Sequence, residues 1–263
     1  MSMPWQVVYS RNARAAVRLF CFHYAGGSAS AFRNWASHLP RSVELVAVQL
    51  PGREGRFGER FITRFDELIK TLTEALMPGL NIPYAVFGHS LGTLIGFEWI
   101  RQLKHHGIRQ PLMFFASGRR APQFVNPEPP ISHLPEAEFV RELLNKYGDH
   151  LGSVLERDDF RQAFMPQLRA DFTLSETYRY RRGAKLDCPI IAWAGEEETE
   201  ITEQELTGWR EHTSSRFNAL RFPGAHFFIH SQETQLLQEA KRQLSSAIAL
   251  PEQAAAPRLR QAE

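Results

Sequence analysis

The chain has 263 residues, of which 43% are hydrophobic and 23% charged, the composition of a globular protein able to bury one large α/β core. Its 31 basic and 29 acidic residues leave a net charge of +2, which argues against a dedicated nucleic-acid binder, because basic excess dominates there. No apolar run approaches the roughly eighteen residues of a membrane-spanning helix, and Met1–Ser10 lacks the charged start and apolar core of a signal peptide. Cys21 and Cys188 each sit in an apolar, strand-like run without a C-x-x-C partner, so they read as buried free thiols in a reducing cytosol. The expectation is a cytoplasmic protein.

Short apolar runs alternate with amphipathic ones along the chain. Val17–Phe22 is the first predicted strand, and Val43–Val48 the second; each is too short for a helix. Phe65, Leu68, Ile69, Leu72 and Leu76 then form one apolar helical face at spacings of three and four. Tyr84–Phe87 reads as a strand, Leu91–Leu103 as a helix apolar almost all round, and Leu112–Ala116 as another strand. The alternation stops between about Asn126 and Arg182. Pro127, Pro129 and Pro130 open the break, and helical stretches at Glu136–Tyr147 and Asp158–Tyr180 follow with no strand between them. Strands resume at Pro189–Ala194 and Arg216–Phe222, and Leu237, Ala240, Leu244 and Ala247 mark a final helix. This order predicts a mostly parallel sheet with helices on both faces. The expected division is a core of residues 1–125 and 183–250, a helical lid over the strand ends at 126–182, and a disordered tail at 251–263.

Gly88-His89-Ser90-Leu91-Gly92 is a G-x-S-x-G pentapeptide between a strand and a helix. In that setting the serine sits on a strained turn with its hydroxyl exposed, and a Cβ at either glycine would collide with the neighbouring strand or helix. Ser90 is therefore the expected nucleophile. The base should follow later in the chain. Of His212, His226 and His230, His226 lies in the turn after the last strand and is favoured; His212 reads as a solvated surface residue and His230 as a capping or packing residue. The acid should follow Pro189–Ala194, where Gly195-Glu196-Glu197-Glu198-Thr199-Glu200 offers four glutamates and no aspartate. Position alone does not choose among them. The oxyanion would be held by the amide of Leu91 and by one from His23-Tyr24-Ala25-Gly26-Gly27-Ser28, with Ala25 or Tyr24 as the donor. Neither G-x-G-x-x-G nor a Walker pattern is present, and His226-x-x-x-His230 has no carboxylate or cysteine at ligand spacing, so no metal site is expected.

Five segments in order carry a resemblance: F-H-Y-A-G-G-S at Phe22–Ser28, Q-L-P-G-R-E-G-R at Gln49–Arg56, F-G-H-S-L-G at Phe87–Gly92, P-Q-L-R-A-D-F at Pro166–Phe172 and P-G-A-H-F-F at Pro223–Phe228. Together the sequence resembles the stand-alone type II thioesterases of non-ribosomal peptide and polyketide synthases, in the α/β-hydrolase superfamily. The P-G-R-E and L-R-A-D-F segments are far more specific than the serine elbow. The resemblance implies an α/β-hydrolase fold, Ser90 as nucleophile, His226 as base and Glu198, fourth residue of the Gly195 loop, as acid. Aspartate is usual there, so Glu197 and Glu196 stand as substitutes; His23 and Ala225 replace a common proline and glycine.

The resemblance further implies a serine hydrolase that releases acyl groups from the phosphopantetheine arm of carrier proteins, removing stalled or misprimed acyl groups. No cofactor or metal is expected beyond the arm of the substrate. The partners would be acyl or peptidyl carrier domains, with no nucleic acid or membrane, and the protein is expected to be a monomer. Acidic carriers would dock on a locally basic surface, for which Arg119-Arg120 and Arg179–Arg182 are the candidates, a solvated charged face being the alternative. A carboxylesterase on the same fold and a non-catalytic synthase-binding partner are the rival functions.

Overall fold

A computed structural model of the chain describes residues 5–155 and 158–249; the expected tail at 251–263 lies outside them. Seven strands form one sheet in the order β1-β3-β2-β4-β5-β6-β7. They are β1 (Gln6–Val8), β2 (Val17–Phe22), β3 (Val43–Val48), β4 (Tyr84–His89), β5 (Phe114–Ser117), β6 (Ile190–Gly195) and β7 (Phe217–Phe222). All neighbours pair parallel except the edge strand β1, which is antiparallel to β3 with Gln6 opposite Val48.

The runs of apolar residues follow from burial on both faces. In β2, Phe20 and Phe22 point into one layer, with Val46, Val86, Leu68, Leu72 and Trp99. That layer belongs to α2 (Phe65–Leu76) and α3 (Leu91–His105). Leu19 and Cys21 point into the other, with Phe87, Trp193, Leu237 and Leu244, packed by α1 (Trp35–His38) and the last helix. The chain is thus an α/β-hydrolase fold with helices on both faces of a mostly parallel sheet. Both cysteines are buried and free; burial pushes the Cys188 thiol up to about 12, so both stay protonated.

Between β5 and β6 the described chain adds only helices, α4 (Glu136–Leu155) and α5 (Asp158–Thr177). Phe139, Leu143, Leu151, Met165 and Leu168 bury a separate apolar cluster between them. α4 is broken at Tyr147, whose φ of −132° and ψ of 21° leave the helical region. After β6 come α6 (Glu203–Thr207), α7 (Phe228–Ser231) and α8 (Glu233–Ala249). Sequence pattern missed β1, which is three residues long and half-buried throughout, too short to show alternation. It also missed the burial of His212. That ring is 6% exposed, hydrogen-bonds Gln123 Oε1 at 2.5 Å and is held near pKa 4, chiefly by burial, so it is a core residue rather than a surface one.

The turn from β4 into α3 fits glycine alone at two places. A Cβ on Gly92 would lie 2.1 Å from the Phe22 carbonyl oxygen, and one on Gly88 would lie 2.3 Å from the Gly92 oxygen. Both obstacles are backbone and cannot rotate away. Gly92→Ala is expected to cost more than about 4 kcal/mol and to lower Tm by roughly 10 °C or more. Gly148→Ala, with nothing within 4 Å of the new Cβ, should shift Tm by less than about 2 °C in the same melting experiment.

Candidate active site

The C-terminal ends of β2, β4, β5, β6 and β7 open on one side of the sheet, where crevices of parallel α/β folds bind ligands. β4 delivers Ser90 there. Its φ of 55° and ψ of −115° are strained for a residue with a side chain. The strain is held by a hydrogen bond from the Ser90 amide to the Ser117 carbonyl at 2.8 Å. The Thr93 hydroxyl adds contacts of 2.8 Å to the Gly88 oxygen and 2.7 Å to the Ser117 oxygen. His89 is fully buried and spans two strand ends. Its Nε2 donates to the His226 carbonyl at 3.0 Å while Nδ1 accepts from the Ser117 hydroxyl at 2.9 Å. Burial holds its pKa well below the usual histidine value, so the ring is neutral, as these two bonds require. The sequence offered no sign of this role beyond a histidine inside the elbow.

The loops after β6 and β7 bring Glu198 and His226 together through backbone pairing. The Glu196 amide donates to the Phe222 oxygen at 2.8 Å and the Glu197 amide to the Gly224 oxygen at 3.1 Å, which continues the strand pairing into the loops. Glu196, Glu197 and Glu200 are exposed. Glu198 alone turns inward, 3% exposed, and its Oε1 accepts a hydrogen bond from His226 Nδ1. Oε2 accepts from the Gly195 amide at 3.1 Å, so the glutamate folds back over its own loop and absorbs the extra methylene. Burial alone would raise the Glu198 pKa. The His226 hydrogen bond and charge, the Gly195 amide and Arg221 outweigh it and hold the carboxyl below the usual glutamate value. Arg221 also clamps the loop, donating to the Gly195 and Ile201 oxygens at 2.7 Å each. His230 pairs with the Tyr24 hydroxyl at 2.8 Å and stacks on His150, a packing role.

The loop after β2 is fastened by two of the five segments that carry the resemblance, Gln49–Arg56 and Pro166–Phe172. Arg53 and Asp171 form a bidentate pair at 2.7 and 2.8 Å, with side chains only 3% and 1% exposed. Asp171 Oδ2 also accepts from the Gly26 amide at 2.7 Å, and Arg53 Nη1 donates to the Gly27 oxygen at 3.0 Å. Gln167 Nε2 donates to the Gly26 oxygen at 2.6 Å, and Gln49 Oε1 accepts from the Ala29 amide at 2.8 Å. Ala25, Leu91, Ser90 and His226 line one inner cavity of about 40 Å³. An outer cavity of about 440 Å³, also reaching Ser90, His226 and Glu198, opens beside Arg119 and α4.

Of the two basic candidates for docking, the Arg119-Arg120 pair lines the outer cavity that reaches Ser90. Arg120 is 8% exposed, paired to Glu205 Oε1 at 2.7 Å and donating to the Glu200 oxygen at 2.5 Å. Arg119 faces the cavities. Arg179, Arg181 and Arg182 are exposed, but Arg181 packs against Arg101 on α3 through a 2.8 Å hydrogen bond, roughly 16 Å along the helix from Ser90. The mouth itself is lined by Glu128, Glu142, Glu176 and Glu200 together with Arg119, Arg120 and Lys146, so it carries both signs of charge.

The thioesterase domain model matches residues 17–244. The chain belongs to the thioesterase domain family. It is 43% identical over 235 residues to a Brevibacillus parabrevis protein named linear gramicidin dehydrogenase LgrE, covering 89% of each. It is 36% identical to the gramicidin S biosynthesis protein GrsT of Aneurinibacillus migulanus, covering 93% of this chain and 95% of that one. Among solved structures, the type II thioesterase BorB from the borrelidin biosynthetic cluster superposes with a TM-score of 0.81 at 32% identity, covering 92% of this chain and 96% of that chain. The oxidoreductase word in the first name has no motif behind it in this thioesterase, which lacks G-x-G-x-x-G. No described helix is long and apolar enough to cross a membrane.

Two outcomes follow from the buried charges. Asp171→Asn leaves Arg53 buried without a counter-charge, at a cost of about 3–5 kcal/mol, so Tm should fall by roughly 10 °C. For Glu198, whose pKa is depressed on folding, the stabilisation is present above the usual glutamate pKa of about 4.3 and is lost as pH falls through the lower, folded value. The Tm gap between wild type and Glu198→Gln should therefore be widest above about pH 5 and close as the pH is taken below about 4.

Proposed function

We propose that this thioesterase hydrolyses acyl groups held as thioesters on the phosphopantetheine arm of carrier proteins in a non-ribosomal peptide or polyketide synthase system. Its role is removal of stalled or misprimed acyl groups. The reading is carried by the inward-turned Glu198 bonded to His226 Nδ1 beside the strained Ser90. With Nδ1–H donated to the carboxylate, Nε2 is left as the basic nitrogen. It takes the Ser90 proton as the oxygen attacks the thioester carbonyl, and the amides of Leu91 and Ala25 receive the developing oxyanion. The carbon–sulfur bond breaks and the thiol leaves. Water, deprotonated by His226, then releases the free acid from Ser90. A thiolate leaves readily, so proton delivery to it is less demanding than to an amine. The phosphopantetheine belongs to the substrate, and apart from water the other reacting groups are supplied by Ser90, His226, Glu198 and the two amides.

The outer cavity suits the arm and the inner one the acyl group, with residues 126–182 as a lid and 1–125 with 183–250 as the core. The likeness to GrsT and BorB over nearly their whole length supports the editing reading. Carrier domains are its partners, and the protein acts as a cytoplasmic monomer.

The test is clearance of acetyl and longer acyl groups from a loaded carrier protein, followed by intact mass, with para-nitrophenyl esters of the same acids in parallel. Ser90→Ala should lose at least about 10³-fold in kcat while keeping its Tm, and Glu198→Gln about 10²- to 10⁴-fold. Turnover of the esters with the carrier substrate untouched would move the protein to the carboxylesterases. Inactivity on both would favour a non-catalytic binding partner.

A further inference from the structure

Ser117, the last residue of β5, contacts both halves of the site. Its carbonyl accepts from the Ser90 amide at 2.8 Å and from the Thr93 hydroxyl at 2.7 Å, which ties down the strained turn. Its hydroxyl meets His89 Nδ1 at 2.9 Å, and His89 Nε2 meets the His226 carbonyl at 3.0 Å. A carbonyl can only accept, so Nε2 carries the proton. Burial keeps the ring neutral, so Nδ1 is the acceptor and the Ser117 hydroxyl the donor. The bond at one ring nitrogen thus fixes the proton on the nitrogen that faces His226.

The His226 carbonyl depends on this bond. The carbonyls on either side of it are taken by the start of α7: the Ala225 oxygen accepts from the Phe228 amide at 3.0 Å and the Phe227 oxygen from the His230 amide at 2.9 Å. Among the described residues no backbone amide pairs with the His226 carbonyl, and its partner is His89. The Glu198 bond fixes the rotation of the imidazole, whereas His89 fixes the backbone from which that ring hangs. His89 itself has little room to move. A Cβ on Gly118 would lie 2.5 Å from its Cε1, and the Phe228 and Tyr24 rings meet it edge-on with centroids 5.4 and 5.9 Å away. A misplacement of about 1 Å between reacting groups can cost about 10²-fold in rate.

We propose that Ser117 and His89 are positioning residues that set the reach from His226 to Ser90. This rests on the reading of Ser90 as nucleophile and His226 as base. The test measures kcat and KM on acyl-loaded carrier protein for wild type, His89→Leu, His89→Gln and Ser117→Ala, with Tm for each. In parallel, a fluorophosphonate probe reads the rate at which Ser90 Oγ displaces fluoride from phosphorus, a step that needs no carrier. His89→Leu, which fills the space without a donor, should lower kcat and the labelling rate about 10²-fold, with KM within about 3-fold of wild type. His89→Gln, which keeps an N–H donor, should recover about 10-fold of that loss, and Ser117→Ala should lose about 10-fold. A KM rise as large as the fall in kcat, or equal losses in His89→Leu and His89→Gln at matching Tm, overturns the assignment. Should His89→Leu fail to fold, Ser117→Ala decides: a lower kcat at unchanged KM supports the assignment, and unchanged kcat and labelling overturn it. Labelling of wild-type Ser90 without clearance of the carrier substrate sinks the thioesterase reading alone, and the labelling rates then decide the roles of Ser117 and His89. No labelling of wild type sinks both.

Discussion

The site is built around one buried ion pair, Arg53 with Asp171. The arginine comes from the segment after β3 and the aspartate from α5, 118 residues later. Between them they hold both the Gly26 amide and the Gly27 carbonyl. A glycine-rich loop has no intrinsic preference for one shape, so the orientation of its amides depends on these charged anchors. A buried pair is worth having here because each member also satisfies backbone groups that would otherwise be desolvated. The same pair fastens α5 to the sheet end, so the wall of the cavity and the loop after β2 share one support.

A second constraint acts on the opposite side of Ser90. Strand pairing between β6 and β7 runs on into the loops, where the Glu197 amide meets the Gly224 oxygen at 3.1 Å. The approach is so close that a Cβ on Gly195 would lie 2.3 Å from that oxygen. Glu198 and His226 are therefore placed by backbone registration, with the Arg221 side chain clamping the loop. His89 joins this half of the site to the elbow through the His226 carbonyl and to the end of β5 through the Ser117 hydroxyl. Such a scaffold keeps the reacting groups in place without relying on the cavity contents, which is what preorganised catalysis requires.

The strands and most helices were legible because burial on both faces of a parallel sheet leaves nearly continuous apolar runs, and amphipathic helices leave a 3.6-residue stripe. β1 escaped because three half-buried residues carry no period. The serine elbow was legible because its glycines answer a local steric need, and the position of His226 beside it because the turn after the last strand opens on the same end of the sheet. The glutamate run was not, since four identical carboxylates in sequence differ only in which one the β6–β7 pairing turns inward. Likewise Arg119 and Arg120 look alike as a dipeptide, yet one is consumed by Glu205 and the other faces the cavities.

By itself the sequence determined the layered α/β architecture, the nucleophile turn and the family, because each depends on local geometry or on short motifs with fixed spacing. Only the tertiary structure decided which glutamate meets the histidine and that P-G-R-E and L-R-A-D-F meet through Arg53 and Asp171. It also decided which arginines are spent on structure. Those are contacts between residues dozens of positions apart, set by strand register and burial, and no local pattern encodes the partner of a buried charge.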